Sequence, residues 1–390
     1  MNWREGETHL ANRSPYRSVF FSAQWKSSTF DYGVVTPMKI GIVGGGINGL
    51  CCAWQLAKQG HQIQLYERNT LMNATSRASS KLLHGGLRYL ENREFRLVRE
   101  ALRERDAWIK RAPHLATPLR LVIPIYHCSR RPSWVVALGL FLYDHLAFKS
   151  LLPKSKRLSL QELIRFDPNL KTENLQAGYE FSDGQMDDYA LGLWVADQAR
   201  QAGVVIVENT EVTHLNADGH VTISSGSIDV HDRLINVAGP WAQKILQQSG
   251  IEIPYALDLV RGSHLILDQP CNQAYLLESP DDRRVFFVLP WKNNTLVGTT
   301  EVRQTLDEPV ACSPEEQTYL LNAWAYYFPE NRPKVIGTFA GVRPLLRSAK
   351  NPSKATREYA IHRTGKLVTV LGGKWTTSLA LADKVAAALR

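Results

Sequence analysis

The sequence contains no run of 18 or more apolar residues, the usual signature of a membrane-crossing helix. Its longest candidate, Trp134 to Phe148, is broken by Asp144 and His145. Cysteine is scarce: Cys51, Cys52, Cys128, Cys271 and Cys312 are odd in number and form no CxxC pair. That pattern argues against a disulfide framework and a metal site, and suits packed thiols in a reducing compartment. No internal repeat or low-complexity tract is present. Zinc-finger spacing, an RNP-like motif and a basic repeat are also missing, so nucleic acid is the weakest of the partners considered below. The start has no apolar h-region, which excludes a secretory signal; a weak organelle-targeting segment stays open.

What is present describes a globular chain of 390 residues, 44% hydrophobic and 21% charged, long enough for two packed domains. The 46 basic against 37 acidic residues give a formal charge of +9. Such a balance favours an anionic partner, either acidic lipid or a phosphorylated metabolite, with a merely basic solvated surface as the plain alternative. Residues 1–37 lack periodicity. They read as an extension that is disordered or lies upstream of a true start at Met38.

Lys39–Val43 is a short apolar run of the buried parallel-strand kind. Gly44-Gly-Gly46-Ile-Asn48-Gly49 follows, then a helical stretch to Gln59, a stop at Gly60, and a second strand from His61 to Tyr66 ending at Glu67. This strand–GxGxxG–helix–strand–acid order is a dinucleotide-binding unit. Its glycines permit the tight turn, the approach of the pyrophosphate and close helix–strand packing, while the helix amino end faces the phosphates. Glu67 is placed to accept from the adenosine ribose. The unit leaves NAD and FAD open. The hydroxyl-rich stretch Ala74-Thr75-Ser76-Arg77-Ala78-Ser79-Ser80-Lys81 suits the longer FAD, although such runs are also ordinary loops.

In order from Lys39 almost to Arg390, the sequence resembles the FAD-dependent glycerol-3-phosphate dehydrogenases. The resemblance is carried by ATSRASSKLLHGGLRYLENREFRLVREALRERD, then GLFLYDHLAF at 139–148, FSDGQMDD at 181–188, NVAGPWA at 236–242 and RGSHLIL at 261–267. It continues through VFFVLPW at 285–291, GTTE at 298–301, GVRPLL at 341–346, TREYAI at 356–361 and GGKWTT at 372–377. Longer members of that family carry a further helical C-terminal domain, whereas this chain stops one helix after GGKWTT.

The resemblance implies an α/β and α+β fold, with a Rossmann-like FAD domain built from separated segments and an antiparallel-sheet substrate domain. The expected boundaries are 38–112, 175–245 and 336–390 for the FAD domain, and 113–174 and 246–335 for the substrate domain. It implies non-covalent FAD held by Gly44, Gly46, Asn48, Gly49, Glu67, Arg68, Thr75, Ser76, Ser79, Ser80, Lys81, Leu82, His84, Gly86, Val212, Ala238, Gly239, Gly341, Gly373, Lys374, Trp375 and Thr376. It implies no metal.

The implied reaction is oxidation of sn-glycerol 3-phosphate to dihydroxyacetone phosphate, with hydride passing to flavin N5 and electrons then to quinone or another acceptor. A phosphate calls for arginine forks. The matched positions supply Arg88, Arg343 and Arg357, with Tyr89 on the pocket wall. Lys374, expected to open the last helix, would face the flavin edge where negative charge develops. His264 is the expected base ahead of His84, because histidine titrates near neutrality. An amino- or hydroxy-acid oxidase of the same superfold and a flavin-binding protein without catalysis are the competing readings.

Finally, Arg130-Arg131-Pro-Ser-Trp134 leads into the apolar stretch to Phe148, followed by Lys149, Lys154, Lys156 and Arg157. Such a segment can lie on an anionic membrane surface or serve as an internal helix of the substrate domain. The expected location is cytoplasmic, with peripheral membrane contact as an option.

Overall fold

The computed structural model describes residues 36–347 and 359–390. Arg357 and residues 1–35 of the extension lie outside the described residues.

Two apolar runs, Lys39–Val43 and Gln62–Tyr66, pair in parallel because the helix between them, Ile47–Lys58, returns the chain across one face. Leu50, Cys51, Cys52, Ala53 and Leu56 on that helix are buried, and Gly60, at φ 89°, follows its end. The completed sheet has the order Ala360–Thr364, Leu367–Leu371, Arg233–Asn236, Lys39–Val43, Gln62–Tyr66 and Val205–Val207. All neighbours are parallel except the pair Ala360–Thr364 and Leu367–Leu371. Helices Asp188–Gln201 and Ser378–Ala388 pack with Ile47–Lys58 over its core.

The second layer is a sheet of ten strands among the described residues, centred on the long strands Ala116–Tyr126, Leu175–Met186, Leu257–Leu267 and Val335–Leu346. Val285–Trp291 and Asn294–Gly298 form a hairpin that turns at Lys292–Asn293, with Lys292 at φ 55°. Ser313 caps Pro314–Tyr327 in a capping box with Glu316, and Pro314 stands at the first helical position.

Two of the expected boundaries differ from the sheets. Leu175–Met186 pairs along its length with Ala116–Tyr126, and Val335–Leu346 pairs with Leu257–Leu267; both belong to the second sheet, not the parallel one. For the first of these, strand pairing is set by partners 49 to 70 residues distant, and local patterning does not report them. Among the described residues, no helix is long and apolar enough to cross a membrane.

Candidate active site

The strand Lys39–Val43 delivers the glycine-rich turn to the carboxyl edge of the parallel sheet, where ligands of open α/β sheets collect. The helix beginning at Ile47 has neither a side-chain cap nor an acid in its first turn, so its amino end presents N–H groups and positive dipole. Ser76 Oγ accepts from Ile47 N–H at 3.1 Å. Glu67 is pinned by two backbone donors: Oε2 accepts from Gly45 N–H at 2.7 Å and Oε1 from Asn69 N–H at 3.0 Å. Beside it, the Arg68 guanidinium lies 3.9 Å over the Trp241 ring.

A cavity of about 1170 Å³ runs from this turn to the second sheet. Of the expected site residues that are described, all but Gly49 and Lys81 line it. Gly49 packs beneath the turn against the Gly44 carbonyl. Lys81 is turned away, its ammonium 2.6 Å from Asp188 in a buried ion pair and donating to Arg77 O. Its expected cofactor contact is therefore replaced by a structural role.

The hydroxyl-rich stretch is the seam between the two sheets. Thr75 Oγ1 donates to Val342 O at 2.7 Å, and Ser79 Oγ donates to Asp188 at 2.7 Å. Ser80 Oγ lies 2.9 Å from His264 Nε2. The loop that follows is held from below by a buried network. Gly85 N–H donates to Tyr143 Oη at 2.8 Å, Tyr143 donates to Asp183, and Asp183 pairs with Arg105 at 3.1 Å. Burial pushes the Asp183 carboxyl upward while Arg105 opposes the shift.

Lys374 precedes the last helix instead of opening it. Gly372 and Gly373 both have positive φ, Trp375 Nε1 donates to Ser76 O at 3.0 Å, and the helix starts at Ser378. These ties hold the GGKWTT segment on the cavity wall and delay the helix. Lys374 Nζ sits 3.9 Å over the Tyr89 ring and is buried without a hydrogen-bond partner, as is Asn48 Oδ1.

Arg343 rises from Val335–Leu346 opposite Val260. Its Nη2 donates to Thr300 O at 2.7 Å, and its Nη1 stands 3.8 Å from Glu301. Gly262 makes this position possible, since a Cβ there would meet Nη2 at 2.3 Å. The supporting threonines belong to the GTTE motif at 298–301, whose role the sequence does not disclose.

His264 is stacked on Phe339 with ring centroids 4.7 Å apart and is 2% exposed. Burial, then the charges of Arg343 and Lys81, lower its pKa to about 3. The expectation that it titrates near neutrality is thus corrected, since its ring is neutral across the physiological range. The unfolded chain binds this proton below about pH 6.5 and the folded one does not. The stabilisation is complete above that pH and is lost as pH falls from 6.5 towards 3. In His264→Gln the slope of unfolding free energy against pH between 4 and 6 should be shallower by up to about 1.4 kcal/mol per pH unit. Equal slopes in the two proteins would show that the folded ring is protonated there.

The residues fit FAD: a helix amino end without an acid for pyrophosphate, a pinned acid for ribose, and a buried ammonium for the flavin edge. This is a dinucleotide-dependent oxidoreductase by fold and by site. The chain belongs to the DAO family of FAD-dependent oxidoreductases, which matches residues 39–388.

The chain is 39% identical over 367 residues to a glycerol-3-phosphate dehydrogenase of Pseudomonas aeruginosa, covering 88% of this chain and 70% of that protein. It is 38% identical to D-erythritol 1-phosphate dehydrogenase of Brucella abortus, covering 88% of this chain and 72% of that one. In fold it is similar to the glycerol-3-phosphate dehydrogenase of Bacillus halodurans solved with FAD, with a TM-score of 0.72 and 24% identity. That match covers 91% of this chain and 64% of the solved one.

Proposed function

We propose that the chain oxidises sn-glycerol 3-phosphate to dihydroxyacetone phosphate, and that the electrons leave to quinone or another acceptor. The observation that carries the reading is the Arg343 guanidinium, fixed on the cavity wall by Thr300 and Glu301 beside His264. FAD, when bound, supplies the hydride acceptor for the alcohol carbon. Arg343 holds the phosphate as a rigid fork, and Arg88 faces the same cavity from the Leu87–Asn92 turn. Arg357, which lies outside the described residues, is proposed as a further phosphate contact. Lys374 supplies positive charge at the flavin edge. Ser80 Oγ, on the cavity wall and bonded to His264 Nε2, is placed to hydrogen-bond the substrate hydroxyl.

An anaerobic titration watching flavin bleaching tests the reading. Glycerol 3-phosphate should bleach the flavin, and glycerol and glycine should not. Bleaching by an amino acid but not by glycerol 3-phosphate would move the chain to the amino-acid oxidases. D-erythritol 1-phosphate is the second substrate reading, because a relative with that name is as similar as those named for glycerol 3-phosphate. A larger kcat/KM for it would establish the second reading.

The helix Ser133–Leu146 supports a membrane-facing role. Val136, Leu140 and Tyr143 are buried, whereas Trp134, Leu138 and Phe141 are 68%, 51% and 60% exposed on the other side. Phe148 and Leu151, just beyond the helix, are also exposed, and so are Lys149, Lys154 and Arg96, Arg99 and Arg103 of the contacting helix Phe95–Arg111. Exposed apolar residues together with exposed cations suit an anionic lipid surface. Vesicle flotation should show binding to anionic liposomes that falls with salt and is lost in Trp134→Glu. Protein that floats with no lipid composition would refute the contact and direct the search to soluble acceptors.

A further inference from the structure

The 3-10 helix Leu87–Asn92 carries Arg88 and Tyr89 into the cavity, and left-handed residues bracket it: Gly86 at φ 75° and Arg93 at φ 59°. Its backbone bonds are local, from Tyr89 N–H to Gly86 O and from Arg93 N–H to Leu90 O. Glu91, at its far end, forms an ion pair with Arg131 Nε. Arg131 belongs to the loop between Ala116–Tyr126 and Ser133–Leu146, and its Nη1 pairs with Glu278.

The two carboxylates are unequal. Glu278 ends the strand Ala274–Glu278, accepts from Arg130 N–H at 3.3 Å, and has its own carbonyl bonded by Tyr327 Oη at 2.7 Å. Its side chain is 18% exposed and that of Arg131 21%, against 44% for Glu91. Glu278 is therefore the fixed post and Glu91 the end that it holds. All three side chains border the cavity.

We infer that Arg131 is a positioning residue that latches the Leu87–Asn92 segment to the second sheet and so holds Arg88 and Tyr89 over the substrate end of the cavity. A guanidinium suits the task, because its planar fork reaches two carboxylates at once where a lysine ammonium is a single point. Tyr89 is the second anchor, lying under Lys374. Releasing Glu91 leaves the segment attached through Tyr89 but free to pivot between its two left-handed ends. Arg88, next to Tyr89, then loses its direction.

The inference rests on the proposed substrate only for its kinetic arm, so it is tested in two ways with the FAD-loaded full chain. Arg131→Met and Glu91→Gln are compared with the parent for trypsin cleavage after Arg88 and Arg93, read by mass spectrometry. Both variants should be cut about tenfold faster, since local opening sets the rate. For glycerol 3-phosphate, KM should rise about tenfold with kcat within about twofold, the mark of lost positioning in the bound ground state. The double variant should be no worse than either single one, because both remove the same link. Arg131→Lys should recover part of the KM. Unchanged cleavage in both variants overturns the latch, and so does a fall in kcat at constant KM. If the parent does not oxidise glycerol 3-phosphate, the substrate reading fails, and the cleavage comparison alone still decides the latch.

Discussion

Arg343→Ala is expected to lower kcat/KM for glycerol 3-phosphate by roughly 30- to 1,000-fold, the loss of a charged contact of about 2–4 kcal/mol, with FAD still bound. The guanidinium lies across Gly262, and Thr300 O and Glu301 hold it in one orientation. The substrate therefore meets donors already in place, which keeps the ordering cost of binding low. Arg343→Lys should restore only part of the activity, because an ammonium cannot offer two parallel donors. The change should also be felt at His264, where Arg343 is the larger of the two charges depressing the pKa. In Arg343→Ala that pKa rises, though burial keeps it below the ordinary histidine value. A folded, yellow Arg343→Ala protein with unchanged kcat/KM would refute the phosphate clamp.

Gly49→Ala should yield protein without flavin. The added Cβ would stand 1.9 Å from the Gly44 carbonyl oxygen and 3.1 Å from Val237 Cγ2. A backbone oxygen cannot rotate aside as a side-chain tip can, so the helix Ile47–Lys58 must lift from the strand Lys39–Val43. The turn then loses the geometry that presents its N–H groups to the pyrophosphate. Gly46→Ala is the milder control, since its Cβ meets only Ser76 Oγ, at 3.0 Å. That variant should fold and bind FAD with reduced affinity. Flavin absorbance per protein, with circular dichroism for the fold, separates the two. Stoichiometric FAD in Gly49→Ala would show that the helix tolerates the shift.

The parts of the structure legible in the sequence are those encoded locally. The strand–turn–helix–strand unit, the Lys292–Asn293 hairpin and the Ser313 capping box each depend on residues a few positions apart. The family resemblance then indicated which scattered segments share a site, and nearly all those positions line one cavity. What was not legible depends on long-range partners. Nothing near Leu175–Met186 reveals its pairing with Ala116–Tyr126, and the burial of His264 under Phe339 comes from a strand 75 residues later. That burial is why a base titrating near pH 7 was expected and a ring held neutral was found. Lys81 is a similar case: its neighbours suggest a cofactor contact, but Asp188 claims it from a distant helix. Arg131 read only as a cation flanking the apolar stretch, since the two acids it joins lie 40 and 147 residues away.

The order of strands in the parallel sheet bears on how the chain is made. Lys39–Val43 stands between Gln62–Tyr66, available almost at once, and Arg233–Asn236, which in turn waits for Leu367–Leu371. On the ribosome the nucleotide end of the cavity is thus encoded first and walled last, since Gly372 to Thr376 follow the Gly44–Gly49 turn by more than 300 residues. The half-built sheet exposes an unpaired edge while the second sheet is being translated, and pairings of such sequence separation form slowly. The interval before the last wall emerges is when the nascent chain is most open to misassembly.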